Sequence, residues 1–118
     1  MIIKNTVIAY DNIYAQSAKE FSAPRLEEAV YNIYAYSAEK FSAPRLEKVE
    51  DIEADSAKSF SAPNLKKARN ICADSAESFS APKLEKTWSI HADLVEKFSA
   101  PKLEAVYNIY AYSAEIIE

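Results

Sequence analysis

The chain has 118 residues, 49% of them apolar and 27% charged, which is the length and balance of a single soluble globular domain. Its net charge of −4, with Lys and Arg spread along the chain, speaks against a nucleic-acid binder, and no apolar run approaches the roughly 18 residues of a membrane span. Glycine is absent, so turns must rely on Pro, Asn, Asp and Ser chemistry.

In chain order, the opening Met1-Ile2-Ile3-Lys4 lacks the apolar core and small-residue cleavage site of a secretory signal. A reducing, cytoplasmic setting is therefore expected, and the single cysteine, Cys72, fits it because no internal disulfide can form. Residues 1–20 keep a half-motif, Asn12-Ile13-Tyr14-Ala15-Gln16-Ser17-Ala18. After it, Phe-Ser-Ala-Pro recurs five times, starting at Phe21, Phe41, Phe60, Phe79 and Phe98. A fixed period of this kind marks a repeat protein. The reading is one repeat domain over residues 1–118, with units starting near 1, 21, 41, 60, 79 and 98. The consensus is F-S-A-P-x-L-x-x-V-x-x-I-x-A-x-S-A-x-x, and the second unit is read with one extra residue before Val30. Residues 29–39 and 105–115 are both AVYNIYAYSAE, an identity that implies recent duplication or deliberate construction.

Two architectures accommodate the period. An α-solenoid of helical hairpins would use Ser as N-cap and Pro in the first turn. A β-solenoid would stack about six coils of 19–20 residues, with equivalent positions in columns. The apolar positions Leu65, Ala68, Ile71, Ala73, Ala76, Phe79 and Ala81 step by threes and twos, and Ile-x-Ala and Phe-x-Ala alternate as strands do. The middle residue of Ile-x-Ala is Tyr14, Tyr34, Glu53, Cys72, His91 and Tyr110. On a helix this column falls within the apolar stripe and buries Glu53 and His91 without partners; on a strand it faces water. The all-β or β-rich solenoid is the favoured reading.

The run Phe-x-x-Pro-x-Leu-x-x-Val-x-x-Ile-x-Ala over residues 21–115 resembles bacterial leucine-rich repeats of the BspA-like type, whose Phe, Leu and Ile columns stack into a solenoid. This chain has Pro where that pattern has Cys, and no glycine at its turns. The resemblance implies a scaffold for recognising proteins, with no active site.

On such a scaffold the position after Ile-x-Ala forms a row of Gln16, Tyr36, Asp55, Asp74, Asp93 and Tyr112. Stacked carboxylates repel unless solvated or bridged, which points to a cation or a basic partner; the plain alternative is a solvated acidic face. Cys72 and His91 share a column and could form a thiolate–imidazole pair, yet no oxyanion, phosphate-loop or metal motif accompanies them. Repeat drift explains them as well. No catalytic residue, cofactor or metal ligand is therefore assigned. The tyrosines and Trp88, at a variable corner, are candidate interface residues.

The expectation is a non-enzymatic scaffold that binds another protein through Tyr34, Tyr36, Asp55, Asp74, Asp93, Trp88, Tyr110 and Tyr112. Its apolar ends, Met1, Ile2, Ile3 and Val7 on one side and Ile116 and Ile117 on the other, would serve as caps or pair two chains as a homodimer. Two rival readings are a small acidic inhibitor whose carboxylates imitate nucleic-acid phosphates, and a structural or engineered scaffold without a partner. Leu94-Val95, in place of the usual Ser-Ala, suggests a local enlargement of the core.

Overall fold

The structure, a computed structural model, describes residues 1–110 and the backbone of residues 116 and 117. None of these residues is helical, and the strands form two parallel sheets of nine and six. The chain is a β-solenoid and the helical-hairpin alternative fails.

The narrower sheet is made of Glu20–Ser22, Lys40–Ser42, Ser59–Ser61, Ser78–Ser80 and Lys97–Ser99, with Ile116–Ile117 at its edge. Each strand points its Phe inward and its two flanking polar residues outward, as a two-residue period requires. The parallel register aligns Phe21, Phe41, Phe60, Phe79 and Phe98. Their rings stack at centroid distances of 5.0, 4.8, 4.7 and 4.9 Å. That distance is the spacing of neighbouring strands, so backbone pairing and ring stacking share one repeat.

The wider sheet receives two short strands from each early coil, such as Glu28–Ala29 and Ile33–Tyr34, and one continuous strand from each later coil: Lys67–Cys72, Lys86–His91 and Ala105–Tyr110. Unit length explains the split in the second coil, and the third coil, of ordinary length, stays split where Lys48–Val49 and Asp51–Glu53 pair with it. Ala29 pairs in register with Val49, and Ile33 with Ile52. Two residues therefore separate Ala29 from Asn32, where a single residue, Arg69, separates Ala68 from Asn70. The extra residue of the second unit thus follows Ala29, and Ala29, not Val30, occupies the core column, at 2% exposure. An inserted residue bends and interrupts a strand in the manner of a bulge.

Both corners are tight turns that need no glycine. In Ala62-Pro63-Asn64-Leu65 the Leu65 amide donates to the Ala62 carbonyl at 3.1 Å; in Ala73-Asp74-Ser75-Ala76 the Ala76 amide donates to the Ala73 carbonyl at 3.0 Å. No described residue has a positive φ. This is the regime of type I turns, where Pro fits the second position and Asp or Ser the middle positions. The corner alanines of the central coils, Ala54, Ala57, Ala62 and Ala73 among them, are fully buried. Phe, Leu and Ile columns fill the space between the sheets, and Phe60, Leu65 and Ile71 are at most 1% exposed.

Of the Leu94-Val95 pair only Val95 enlarges the core. Leu94 lies at the outer corner and is 60% exposed. At the N-terminal end Ile3 donates its amide to the Ser22 carbonyl at 2.8 Å and packs against the core, whereas Ile2 and Met1 are exposed. The Val7 carbonyl accepts the amides of Glu27 and Glu28. Residues 1–9 thereby continue both sheets by one partial coil. At the other end the backbones of Ile116 and Ile117 stand in register with Lys97 and Phe98.

Candidate functional site

The outer face of the wider sheet carries the chemically varied side chains, because inward positions are committed to packing. One outward column runs through Tyr14, Tyr34, Glu53, Cys72, His91 and Tyr110, which pair in register from coil to coil. Its aromatic members stack: Tyr14 on Tyr34 at 5.4 Å, and His91 on Tyr110 at 4.6 Å. Tyr34 also meets Tyr36 at 5.8 Å. The Tyr36 hydroxyl donates to the Glu53 carboxylate, and that bond, more than burial, pushes the Tyr36 pKa up to about 12.

Asp55, Asp74 and Asp93 do not lie on the strands. They occupy the second position of the corners that close this face, Ala-Asp-Ser-Ala twice and then Ala92-Asp93-Leu94-Val95, one above another. Partial burial raises the Asp55 pKa above the ordinary carboxylate value, and Asp74 and Glu53 add to the shift. Asp74 and Asp93 each have one Oδ1 out of contact with solvent and without a hydrogen-bond partner. Tyr112 lies outside the described residues.

Cys72 stands in register with His91, as the repeat alignment requires. Its environment opposes a nucleophilic or metal-binding role. Burial first, then the negative charges of Asp55, Glu53, Asp74 and Asp51, push the thiol pKa up to about 12, so the thiolate is scarce at neutral pH. Among the described residues no three His, Cys, Asp or Glu side chains converge as a metal site would.

Trp88 projects from the same face, one strand in from its C-terminal edge, and stacks on Tyr107 at 4.3 Å. Both are exposed, Trp88 by 56% and Tyr107 by 72%. In the preceding coil this column holds Arg69, whose guanidinium grips Asp51 through Nε and an Nη at 3.1 and 2.8 Å and reaches Glu50 at 3.3 Å.

Two further columns escaped the sequence reading. The residue before the Ile of each coil is Asn12, Asn32, Asp51, Asn70, Ser89 or Asn108, and the first five form a polar ladder. The Asn12 Oδ1 accepts the Asn32 amide at 2.9 Å, the Asn32 Oδ1 accepts the Asp51 amide at 3.1 Å, and Ser89 donates to the Asn70 Oδ1 at 2.6 Å. Its signal was the unbroken run of small polar residues at one position of the period. The second column is Lys48, Lys67 and Lys86, seven residues after Phe in three successive units and in direct register. Together with Trp88 and Thr87 it lines a groove of about 460 Å³.

No helix among the described residues is long and apolar enough to cross a membrane. The fold and this face define a parallel β-solenoid repeat protein. No family model, curated protein or solved structure matches the chain.

Proposed function

We propose that this protein is a non-enzymatic repeat scaffold that binds another protein through the outer face of its wider sheet, with Tyr34, Trp88 and Tyr110 as contacts and Tyr36, Asp55, Asp74 and Asp93 at the rim. The observation that carries the reading is the exposed Trp88–Tyr107 stack on the last two strands of that face. Large aromatic side chains held rigid in water lose little entropy on binding and dominate protein interfaces. The resemblance to leucine-rich repeats supports the same reading, and the lone thiol Cys72 suits a reducing, cytoplasmic compartment. A pure phosphate mimic is less well supported, because the row of Lys48, Lys67 and Lys86 shares the face with the carboxylates and would be repelled by a basic groove.

Cross-linking of the immobilised chain to proteins of a cell extract tests this. Cross-links are expected to map to the wider sheet, and Trp88→Ala or Tyr34→Ala should weaken capture of the same partners by about tenfold or more. A control on the narrower sheet, Ser61→Lys with Ser80→Lys, should leave capture intact. Equal capture by wild type and both aromatic variants would overturn the reading.

A further inference from the structure

We infer that the partner of this face is a second copy of the chain, the lysine row of each protomer lying against the aspartate row of the other. The inference rests on the reading that the wider sheet is the interaction surface, and it names the occupant.

Lys48, Lys67 and Lys86 belong to the same three coils as Asp55, Asp74 and Asp93. Both rows are columns of one stack, so they share its spacing of about 4.8 Å per coil. They lie roughly 20 Å apart across the face, at about 3.3 Å per residue. A second copy therefore presents opposite charge at the matching pitch. A free acidic chain would suit the lysines but meet repulsion from the aspartates of the same face.

The symmetry also closes. A twofold axis parallel to the stacking direction reverses the strands and preserves coil order. Lys48 then faces Asp55, Lys67 faces Asp74 and Lys86 faces Asp93, and each contact recurs in the other half of the dimer.

In a single chain both rows are like charges side by side, an unfavourable arrangement. The ion pairs among the described residues engage Lys66 and Arg69 and leave the three lysines unused. The salt bridges of the described residues likewise include none of Asp55, Asp74 and Asp93. Between the rows Trp88, two residues from Lys86, adds an exposed aromatic contact to the same interface. Five coils at about 4.8 Å by roughly 20 Å of strand give about 500 Å² of face per protomer. Two such faces reach the ~1,000 Å² at which specific interfaces begin.

Sedimentation equilibrium of the full chain tests the inference. The wild type is expected to dimerise at about 50 mM salt and to dissociate at about 500 mM, where screening is strong. Lys48→Glu/Lys67→Glu/Lys86→Glu and Asp55→Lys/Asp74→Lys/Asp93→Lys should each be monomeric, with the strand-type circular dichroism of the wild type. Mixed in equal amounts they should associate again, because one variant then carries two acidic rows and the other two basic rows. Misfolding cannot produce that rescue. A wild type monomeric at about 100 μM in low salt, a dimer that survives in both variants, or a mixture that stays monomeric would each overturn the inference. A monomeric wild type whose Trp88→Ala variant still loses captured partners leaves the protein-binding reading standing; unchanged capture as well would sink both.

Discussion

Single side chains in this protein have environments set by their column rather than by their sequence neighbours. Cys72 is the clearest case: its thiol is raised by burial and by carboxylates of its own coil and of the preceding one. A folded-state pKa of about 12 means the neutral thiol persists through physiological pH and ionises only as pH rises toward that value. Iodoacetamide should therefore modify Cys72 at pH 8 about a thousandfold more slowly than a free thiol of pKa about 8.5. Glu53→Gln should accelerate the reaction by removing a negative neighbour. A wild-type rate equal to that of the unfolded chain would show that the thiol is not shielded. Leu65, wholly buried between Phe and Ile columns, tests packing instead of charge. Leu65→Ala is expected to cost about 2–5 kcal/mol in a reversible melt. A loss below about 0.5 kcal/mol would place this column outside the core.

At the scale of the strand and turn, the repeat made much of the fold legible. Steps of two at Phe-x-Ala and Ile-x-Ala, with Glu53 and His91 between apolar neighbours, could be satisfied only by strands whose middle residue faces outward. The corners were less legible. Counting alone could not place the extra residue of the second unit, because Ala29 and Val30 are both apolar and either could fill the column; pairing with Val49 decides it. Leu94 misled for the same reason, since apolarity does not tell an outer corner from the core. The Asp row was legible as a row but not as a row of turns. Least visible was the polar ladder, because partly buried Asn and Asp look like surface residues until their backbone partners are known. Asn32 shows what the ladder does: its amide, its Oδ1 and its Nδ2 all bond, to Asn12, Asp51 and the Tyr34 hydroxyl. Asn32→Leu leaves the Asp51 amide without its side-chain acceptor and is expected to destabilise by about 1–3 kcal/mol. A shift of the urea midpoint at unchanged slope would measure that loss, and an unshifted midpoint would mean water replaces Asn32 freely.

The whole molecule is a one-dimensional stack in which each coil touches only its neighbours, so its stability should follow phase rather than length. Excising residues 60–78 joins Ser59 to Phe79 and restores the local sequence Ser-Phe-Ser. Phe79 then takes the place of Phe60 beside Phe41, Leu84 that of Leu65 beside Leu46, and both corners keep their alanines. The shortened chain loses one set of coil–coil contacts but no column is put out of register. It is expected to fold cooperatively with a strand-type far-UV spectrum and a lowered melting temperature. Excising residues 60–69 removes about half as much chain, yet it brings Asn70 to the position of Phe60 and moves the polar ladder into the aromatic column. That chain is expected not to fold, because it buries amide groups where rings had stacked. Comparing the two melts separates the effects of phase and length: if the shorter excision were the more stable, contacts would not be organised by period, and the alignment of the lysine and aspartate rows across coils would lose its basis.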